Sequence, residues 1–364
     1  MKKTASLPVM FLLVFAACAQ APEGYYEPAF SKSRYELKEA LFGIISEHKT
    51  LKYAELWDAY LQTDADANSN ILDMYNDCDF KFKEDQCGTG SSGNLQDQCK
   101  CYNREHSMPK SWFHDDKEKT PMYTDLFHLY PVSGYVNSRR NNNPFGEVEK
   151  PAYTSTAGSK LGPCSFPGYT GTAFEPLDKY KGDMARTYFY MATCYHDRVD
   201  TWTSDMLDSN NLDVFTRWSK ELLLKWHRLD PVSEKEIRRN EVVYGIQGNR
   251  NPFIDHPELA EKIWGDDTGP WNGTDTMPVP PDTTGLQDYL QNHCKISVSG
   301  RFLQVDHETG TMEAVEIFDI SGKRICATFV RQSRFGYTLP CAGIYIVRVS
   351  IDKRRRFSLK VAVL

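Results

Sequence analysis

The hydrophobic pattern of this chain changes character once, and that change limits the fold more than any other feature. Up to Trp264, apolar residues recur at helical spacing in several segments. Residues 265–285 are rich in Gly, Pro, Asp and Thr, and apolar residues alternate with polar ones beyond them, most clearly at 357–363. The pattern predicts an α+β protein: a mainly helical domain at 20–264, a flexible linker at 265–290 and a small antiparallel β-sandwich at 291–364.

Helix signals recur along the first domain. Ser33 with Glu36 and Ser233 with Glu236 match the capping-box pattern that opens a helix. Three apolar stripes at helical spacing predict further helices that pack into the core. The stripes are Tyr53, Leu56, Trp57, Tyr60 and Leu61; Met184, Tyr188, Met191 and Tyr195; and Leu212, Phe215, Leu222 and Trp226.

The amino terminus has the features of a secretory signal peptide. Lys2 and Lys3 precede an apolar run at 7–17 and a small-residue stretch that suits cleavage after Ala19. The alternative is a lipoprotein signal with Cys18 as the lipidated residue. No other segment is apolar enough to span a bilayer, so we expect a secreted or cell-surface protein exported through the periplasm.

Ten cysteines in an exported chain favour disulfide bonds. Six of them surround the region with the chemistry-bearing residues, namely Cys78, Cys87, Cys99, Cys101, Cys164 and Cys194. Zinc is the alternative, but Cys99 and Cys101 do not form the usual Cys-x-x-Cys pair. The pairing stays open, and the odd count of Cys294, Cys326 and Cys341 leaves at least one thiol free or paired elsewhere.

Composition does not point to a nucleic-acid ligand. Hydrophobic and charged fractions of 40% and 25% are ordinary for a globular protein, and the net charge is -6. If the chain binds DNA or RNA, the attraction has to come from a local basic face together with a bound cation.

Chemistry-bearing residues lie in two blocks. Residues 103–113 read Asn-Arg-Glu-His-Ser-Met-Pro-Lys-Ser-Trp-Phe, and residues 125–140 hold Asp125, His128 and Asn137. A single Glu-His pair is weak support, because a lone histidine is usually a hydrogen-bonded structural residue. The order and spacing of the two blocks, however, suit a metal site built from a strand, a loop and a helix.

With these blocks, the chain resembles the bacterial endonuclease I family, most closely its Bacteroidetes members, over residues 33–264. Shared motifs are Asn-Arg-Glu-His, Pro-x-x-Gly-x-Val-Asn, and the segments 173–176, 181–183 and 246–253. The resemblance implies a ββα-metal (His-Me) finger in which His106 is the general base. It also implies that Glu105 and Asn137 hold Mg²⁺, with Ca²⁺ or Mn²⁺ as alternatives.

Phosphodiester hydrolysis suits this set of residues. A neutral imidazole, with an ordinary pKa of about 6.5, can take a proton from water near neutral pH. A hard cation on a carboxylate and an amide oxygen keeps positions open for phosphate and water. Because adjacent strand residues point to opposite faces, Glu105 and His106 can share a site only where the strand ends, which predicts a turn there.

Contacts to phosphate are less clear from the sequence. Family members carry a phosphate-contacting arginine between the two blocks, where this chain has Lys117 and Lys119. Arg139 and Arg140 are the candidate substitutes, against the interpretation that they are solvated helix charges. His128 either orients substrate or is a buried structural histidine. Both DNA and RNA are expected substrates with slight sequence preference, since phosphate contacts do not read bases.

The carboxyl-terminal domain resembles the sorting domain of the type IX secretion system. The resemblance lies in residues 315–323, residues 339–349 and the last strand, and Cys341 interrupts the usual Leu-Pro-Ala-Gly order. It implies export by the type IX secretion machinery and later removal of the domain. Two alternatives to a secreted endonuclease remain: a surface adhesin or binding protein with an inactive nuclease fold, and a secreted hydrolase of another type.

Overall fold

The computed structural model describes residues 21–66, 68–88, 97–113 and 120–273 in the first part of the chain. In the last part it describes residues 294–299, 301–307, 312–319, 324–341, 343–350 and 356–363. The chain divides into two compact units, residues 1–278 and 279–364. The predicted signal peptide and much of the predicted linker lie outside the described residues. Within these ranges no helix is long and apolar enough to cross a membrane.

Helices account for most of the regular secondary structure described in the first unit. They are α1 (Arg34–Ile45), α2 (Leu56–Thr63), α3 (Gly134–Arg140), α4 (Lys181–Cys194), α5 (Arg217–Leu229), α6 (Glu234–Gln247), α7 (Pro252–Asp255) and α8 (Leu259–Trp264). Residues 182–194 of α4 are all buried, and α4 packs against α1, α5 and α7. Polar residues on this central helix are paired, as Arg186 is with Glu236 at 2.6 and 2.8 Å.

Of the two predicted capping boxes, one is present. Ser233 Oγ accepts a hydrogen bond from the Glu236 backbone N–H, and the Glu236 carboxylate accepts one from the Ser233 N–H. The helix predicted after Ser33 is confirmed as α1, but Ser33 makes no side-chain capping bond. The sequence therefore predicted this helix correctly and its cap wrongly.

The apolar stripe predicted to begin at Leu212 starts too early. The helix α5 begins at Arg217, and Leu212 is 56% exposed in the preceding loop. Asn210 Oδ1 accepts hydrogen bonds from the backbone N–H groups of Leu212 and Asp213. Such a bond offers the backbone an alternative to the helix, and it explains the later start.

The segment directly after Trp264 is packed rather than extended. Trp271 is fully buried, and its indole donates a hydrogen bond to Glu258 at 3.1 Å. Its backbone N–H donates to the carbonyl of Lys32 at 2.8 Å. The first residues of the predicted linker are therefore packed, because the composition argument did not take account of the large apolar side chain of Trp271.

Short antiparallel strands complete the first unit. They are β1 (Asn70–Ile71), β2 (Phe80–Lys81), β3 (Tyr102–His106), β4 (Leu129–Ser133), β5 (Tyr153–Thr154), β6 (Lys160–Pro163) and β7 (Thr172–Glu175). β3 pairs with β4 from Tyr102 opposite Ser133 to His106 opposite Leu129. α3 follows β4 without a break, and Ser133 Oγ caps it by accepting a bond from the Val136 N–H. This strand-strand-helix unit joins the two blocks singled out in the sequence.

The second unit consists of strands. They are β8 (Cys294–Ser299), β9 (Phe302–His307), β10 (Met312–Asp319), β11 (Arg324–Gln332), β12 (Arg334–Thr338), β13 (Gly343–Ser350) and β14 (Arg356–Val363). Two antiparallel sheets have the orders β12-β9-β8 and β11-β10-β13-β14. Buried residues of both sheets, such as Val305 and Val347, share one apolar core. The strands predicted from alternation are confirmed.

Candidate active site

Glu105 and His106 lie at the end of β3 and line a common cavity. They are the last two residues of the strand, and the chain bends at Ser107 and Met108. The cavity has a volume of about 240 Å³ and is also lined by Asn137 from α3. We call it the β3 cavity. The predicted turn is present, and it allows two adjacent side chains to face one space.

The imidazole of His106 is held in one orientation. Its Nε2 lies 3.0 Å from the backbone carbonyl oxygen of Tyr123. Because a carbonyl oxygen only accepts, Nε2 carries the proton and Nδ1 keeps its lone pair. Burial, together with the neighbouring His128, lowers the pKa of His106 well below its ordinary value. The ring is therefore neutral near pH 7, and Nδ1 is unprotonated.

The carboxylate of Glu105 is only partly occupied by protein donors. Oε1 accepts hydrogen bonds from Arg140 Nη1 at 2.5 Å and from the Tyr75 hydroxyl at 3.1 Å. Burial raises the pKa of Glu105, while the Arg140 charge and a hydrogen bond from Asn137 act in the opposite direction. The Arg140 and Tyr75 contacts both end on Oε1.

Arg140 is a buried part of this site. Besides Glu105, it donates hydrogen bonds to the carbonyl oxygens of His106 at 3.0 Å and Ser107 at 2.6 Å. It thereby fixes the bend that follows β3. Its Nη1 and Nη2 groups are engaged in these bonds, and it is fully buried, so it is not a solvated helix charge.

The other cations have different positions. Arg139 is exposed, and its guanidinium donates to the Tyr135 hydroxyl at 3.0 Å. Lys110 lines the β3 cavity, and the sequence reasoning did not single it out. The sequence could have indicated it, because Lys110 follows His106 by four residues within the first block. Lys117 and Lys119 lie outside the described residues.

His128 is a buried histidine behind the cavity. Its Nε2 donates to the Met122 carbonyl oxygen at 2.5 Å, and its ring centre lies 5.4 Å from that of His106. Burial lowers the pKa of His128. This placement agrees with the structural interpretation of the residue.

A polar network that the sequence did not predict surrounds Asp125. Its carboxylate accepts hydrogen bonds from the hydroxyls of Tyr190 and Tyr195 at 2.8 and 2.7 Å, from Gln247 Nε2 at 3.1 Å and from the Phe127 N–H at 2.9 Å. Ligand atoms of His48, Asp125 and Cys194 also lie within 4.8 Å of one another, which is close enough for a metal ion. Four donors already fill the lone pairs of the carboxylate, so we interpret the group as a hydrogen-bonded anchor.

The network anchors the segment that orients His106. Asp125 follows the 3₁₀ turn Pro121–Thr124, whose Tyr123 carbonyl receives the His106 bond. Gln247 reaches the same segment twice, because its Oε1 accepts from the Leu126 N–H at 2.7 Å. The motif at 246–253 contains Gln247, but nothing in its pattern indicated this contact.

Two disulfide bonds precede β3. They join Cys78 to Cys99 and Cys87 to Cys101. The disulfide prediction is confirmed for these four residues, and the zinc alternative for Cys99 and Cys101 is wrong. Cys164 and Cys194 are free, so the prediction does not extend to them.

Comparison with known proteins identifies the family. Residues 33–258 match the family model described as Endonuclease I. The chain is 38% identical over 248 residues to an extracellular ribonuclease of Bacillus amyloliquefaciens, which covers 66% of this chain and 78% of that protein. It is 37% identical over 246 residues to an extracellular ribonuclease of Bacillus subtilis (strain 168), again 66% and 78% of the two chains. Endonuclease-1 of Buchnera aphidicola subsp. Baizongia pistaciae is 31% identical over 132 residues, which is 36% of this chain and 46% of that protein. The chain therefore belongs to the Endonuclease I family and is a nuclease.

Proposed function

We propose that this chain is a secreted, metal-dependent endonuclease that hydrolyses phosphodiester bonds of RNA and DNA with little sequence preference. One observation carries the proposal. His106, with Nε2 committed to a backbone carbonyl, shares the β3 cavity with the Glu105 carboxylate and with Asn137. A base and two oxygen ligands thus face one space. In these terms, β3, β4 and α3 act as a ββα-metal motif.

His106 acts as the general base in this proposal. Nδ1 takes a proton from the water that attacks phosphorus, a role that usually contributes about 10²–10⁴-fold to the rate. The positive ring that results keeps its Nε2–H bond to the Tyr123 carbonyl oxygen. That bond strengthens when the donor is charged, so the carbonyl both orients the base and stabilises its protonated form.

Glu105 and Asn137 fit a hard divalent cation. Glu105 Oε2 and the Asn137 amide oxygen are the ligand types that Mg²⁺ prefers, with Ca²⁺ or Mn²⁺ as alternatives. When bound, such an ion would neutralise the charge that builds up on the phosphate. Arg140 holds Glu105 through Oε1 and the Tyr75 hydroxyl supports the same oxygen, so the carboxylate is oriented before the ion arrives.

Three cations are candidates for the phosphate contact. Lys110 lines the β3 cavity, and Arg139 is exposed on α3 with its guanidinium against the Tyr135 ring. We propose that Lys110 and Arg139 meet the substrate backbone. Arg140, which is buried against Glu105, then contributes by positioning the metal ligand.

Other functions fit the geometry less well. A surface adhesin with an inactive nuclease fold gives no reason for Glu105, His106 and Asn137 to meet, yet these residues line one cavity. A secreted hydrolase of another type would need a different catalytic cluster, whereas the family match favours a nuclease. We therefore favour the nuclease over both alternatives.

The second unit is proposed to serve in export. Its two antiparallel sheets share one core, as in a β-sandwich, and its sequence resembles type IX sorting domains. The extracellular ribonucleases among the relatives also favour secretion. We propose that the chain has a signal peptide at 1–19, crosses the outer membrane through the type IX machinery of a Bacteroidetes cell, and loses this unit afterwards.

Purified protein incubated with supercoiled plasmid and with RNA, with Mg²⁺ or with a chelator, tests the function. Cleavage should require the metal, and His106→Ala should lower the rate at least about 100-fold. Mn²⁺ affinity, followed by electron paramagnetic resonance, should weaken in Glu105→Ala and stay near normal in His106→Ala. His256→Ala is a control, because that histidine does not line the β3 cavity. An unchanged rate in His106→Ala would refute the assignment of the base.

A further inference from the structure

A second cavity adjoins the β3 cavity. It has a volume of about 410 Å³ and lies between residues 50–54 on one side and Thr120, Tyr123 and Thr124 on the other. We call it the Tyr53 cavity, because Tyr53 lines both it and the β3 cavity. Its volume lies in the range of about 300–1,000 Å³ that is common for small-ligand sites. Any group in it would lie next to a phosphate bound near His106.

Aromatic rings form the wall between the two cavities. The ring centres of Tyr53 and Tyr123 are 5.1 Å apart, and the Tyr53 ring is nearly parallel to His106 at 6.2 Å. Arg104 lies 3.6 Å from the Tyr53 ring centre and donates to the Tyr53 carbonyl oxygen at 2.6 Å, which holds this residue in place. Fixed aromatic side chains beside a backbone-binding site are the usual stacking surface for bases.

Thr124 provides a second, independent sign of a ligand. It lines the Tyr53 cavity and is 6% exposed, and its Oγ1 is buried without a hydrogen-bond partner among the described residues. An unpaired buried hydroxyl is costly. The amide and carbonyl groups on the edge of a nucleobase would supply the missing partner.

Charge around the two cavities suits a polyanion. Lys52 is exposed and lines the Tyr53 cavity, and Lys110 lines the β3 cavity, 5.9 Å from the Tyr123 ring centre. These cations lie in a chain whose net charge is -6. A neutral aromatic ligand would gain no charge–charge attraction from them, whereas a nucleotide within a strand has a phosphate on each side of its sugar.

We propose that the Tyr53 cavity is a nucleobase subsite, which takes the base of the nucleotide next to the scissile phosphate. Tyr53 and Tyr123 form its stacking wall, and the Thr124 hydroxyl bonds the base edge. The inference rests on the proposed nuclease function and adds a substrate preference to it. A base within a duplex must leave the stack to enter, so the enzyme prefers single-stranded RNA and DNA to duplexes.

Cleavage mapping around one abasic site tests the subsite. In an end-labelled single-stranded oligonucleotide, the bond beside the abasic position should be cut about 5- to 150-fold more slowly than in the intact strand, the range expected for one lost stacking contact. In Tyr53→Leu the intact strand should be cut more slowly and the abasic effect should nearly vanish. Tyr53→Phe should retain it. Thr124→Val should reduce it without lowering the melting temperature, because this change removes an unpaired hydroxyl.

Controls separate the possible failures. Tyr35→Leu replaces another tyrosine, which is 37% exposed on α1 and bonded to His196, and it should leave the abasic effect intact. Binding of the same strands in the presence of chelator, followed by fluorescence anisotropy, should rank the variants in the same order by the affinity that each loses at the abasic site. No cleavage of any strand with Mg²⁺ would refute the proposed function itself. Two outcomes would overturn the nucleobase subsite but leave the proposed nuclease function intact. One is an equal cleavage rate beside the abasic position and in the intact strand. The other is an abasic effect that persists unchanged in both Tyr53→Leu and Thr124→Val.

Discussion

Loss of the Cys87–Cys101 disulfide should lower the free energy of unfolding of the first unit by about 3 kcal/mol. The two cysteines are 14 positions apart, and the chain-entropy model gives about 3.0 kcal/mol for a loop of that length. The Cys78–Cys99 bond spans 21 positions and corresponds to about 3.3 kcal/mol. Because the two loops overlap in sequence, the first bond removed should cost less than the second, since the remaining bond already shortens the loop that it closes.

The location of the bond predicts how activity responds. The Cys87 N–H donates to the Tyr102 carbonyl oxygen at 3.0 Å, and the Tyr102 N–H donates to Asp85 at 2.8 Å. The disulfide therefore ties this segment to the first residue of β3. Glu105 and His106 lie at the other end of the strand, where pairing with β4 holds them. At a temperature where the variant is still folded, its cleavage rate should therefore stay close to that of the wild type, although its free energy of unfolding is lower.

Urea unfolding of the double variant Cys87→Ser/Cys101→Ser against the wild type measures the loss. Cys164→Ser is the matched control, since Cys164 is a free, half-buried thiol in the same unit. Mass spectrometry of the unreduced protein should find both pairs of the structure, Cys78–Cys99 and Cys87–Cys101. Equal unfolding midpoints for the double variant and Cys164→Ser would refute the reasoning.

Three further predictions concern charge and domain division. Arg140→Met should destabilise the protein by about 3–5 kcal/mol, because Glu105 is left buried without its partner. The exposed Arg139→Met should lose less than about 0.5 kcal/mol of unfolding free energy in urea. Equal losses in the two variants would contradict the role of Arg140 as the buried partner of Glu105. Burial lowers the pKa of His227 to about 3, so the folded state binds fewer protons than the unfolded state and stability falls as pH drops below about 6.5. Between pH 7 and pH 5, the free energy of unfolding of His227→Gln should therefore fall by about 2 kcal/mol less than that of the wild type. An equal fall in both proteins, measured by urea unfolding, would contradict this prediction. A chain ending at Thr284 should keep full nuclease activity and accumulate in the periplasm of the native host; inactivity of the folded, truncated enzyme would show that the second unit takes part in binding.

The end of β3 was predictable from the sequence because it follows from strand geometry alone. Two adjacent side chains cannot reach one site along a continuing strand, so the Glu105-His106 pair required a bend, and the chain bends at Ser107. The paired strands and the following helix came from the order of the two blocks. Local rules sufficed because each of these features lies within a few residues of its cause.

The Asp125 network could not be predicted by such rules. His48 comes from the loop after α1, Tyr190 lies on α4 and Gln247 ends α6, so only the packed core brings them to one carboxylate. Neither the helical nor the strand spacing of apolar residues indicates where a buried polar group will find its hydrogen-bond partners. The same limit applies to Tyr53, whose place beside His106 depends on how the segment before α2 packs.

Arg139 and Arg140 show a distinction that the sequence contained but the reasoning did not use. In a helix, residues three or four apart share a face, whereas residues two apart do not. Arg140 follows Asn137 by three positions and Arg139 follows it by two, so only Arg140 lies on the face that Asn137 presents to Glu105. Burial on that face requires a partner for the guanidinium, and Glu105 with two backbone carbonyl oxygens provides it. Helix geometry alone therefore separates the buried Arg140, which holds the proposed metal ligand, from the exposed Arg139, for which we propose a phosphate contact.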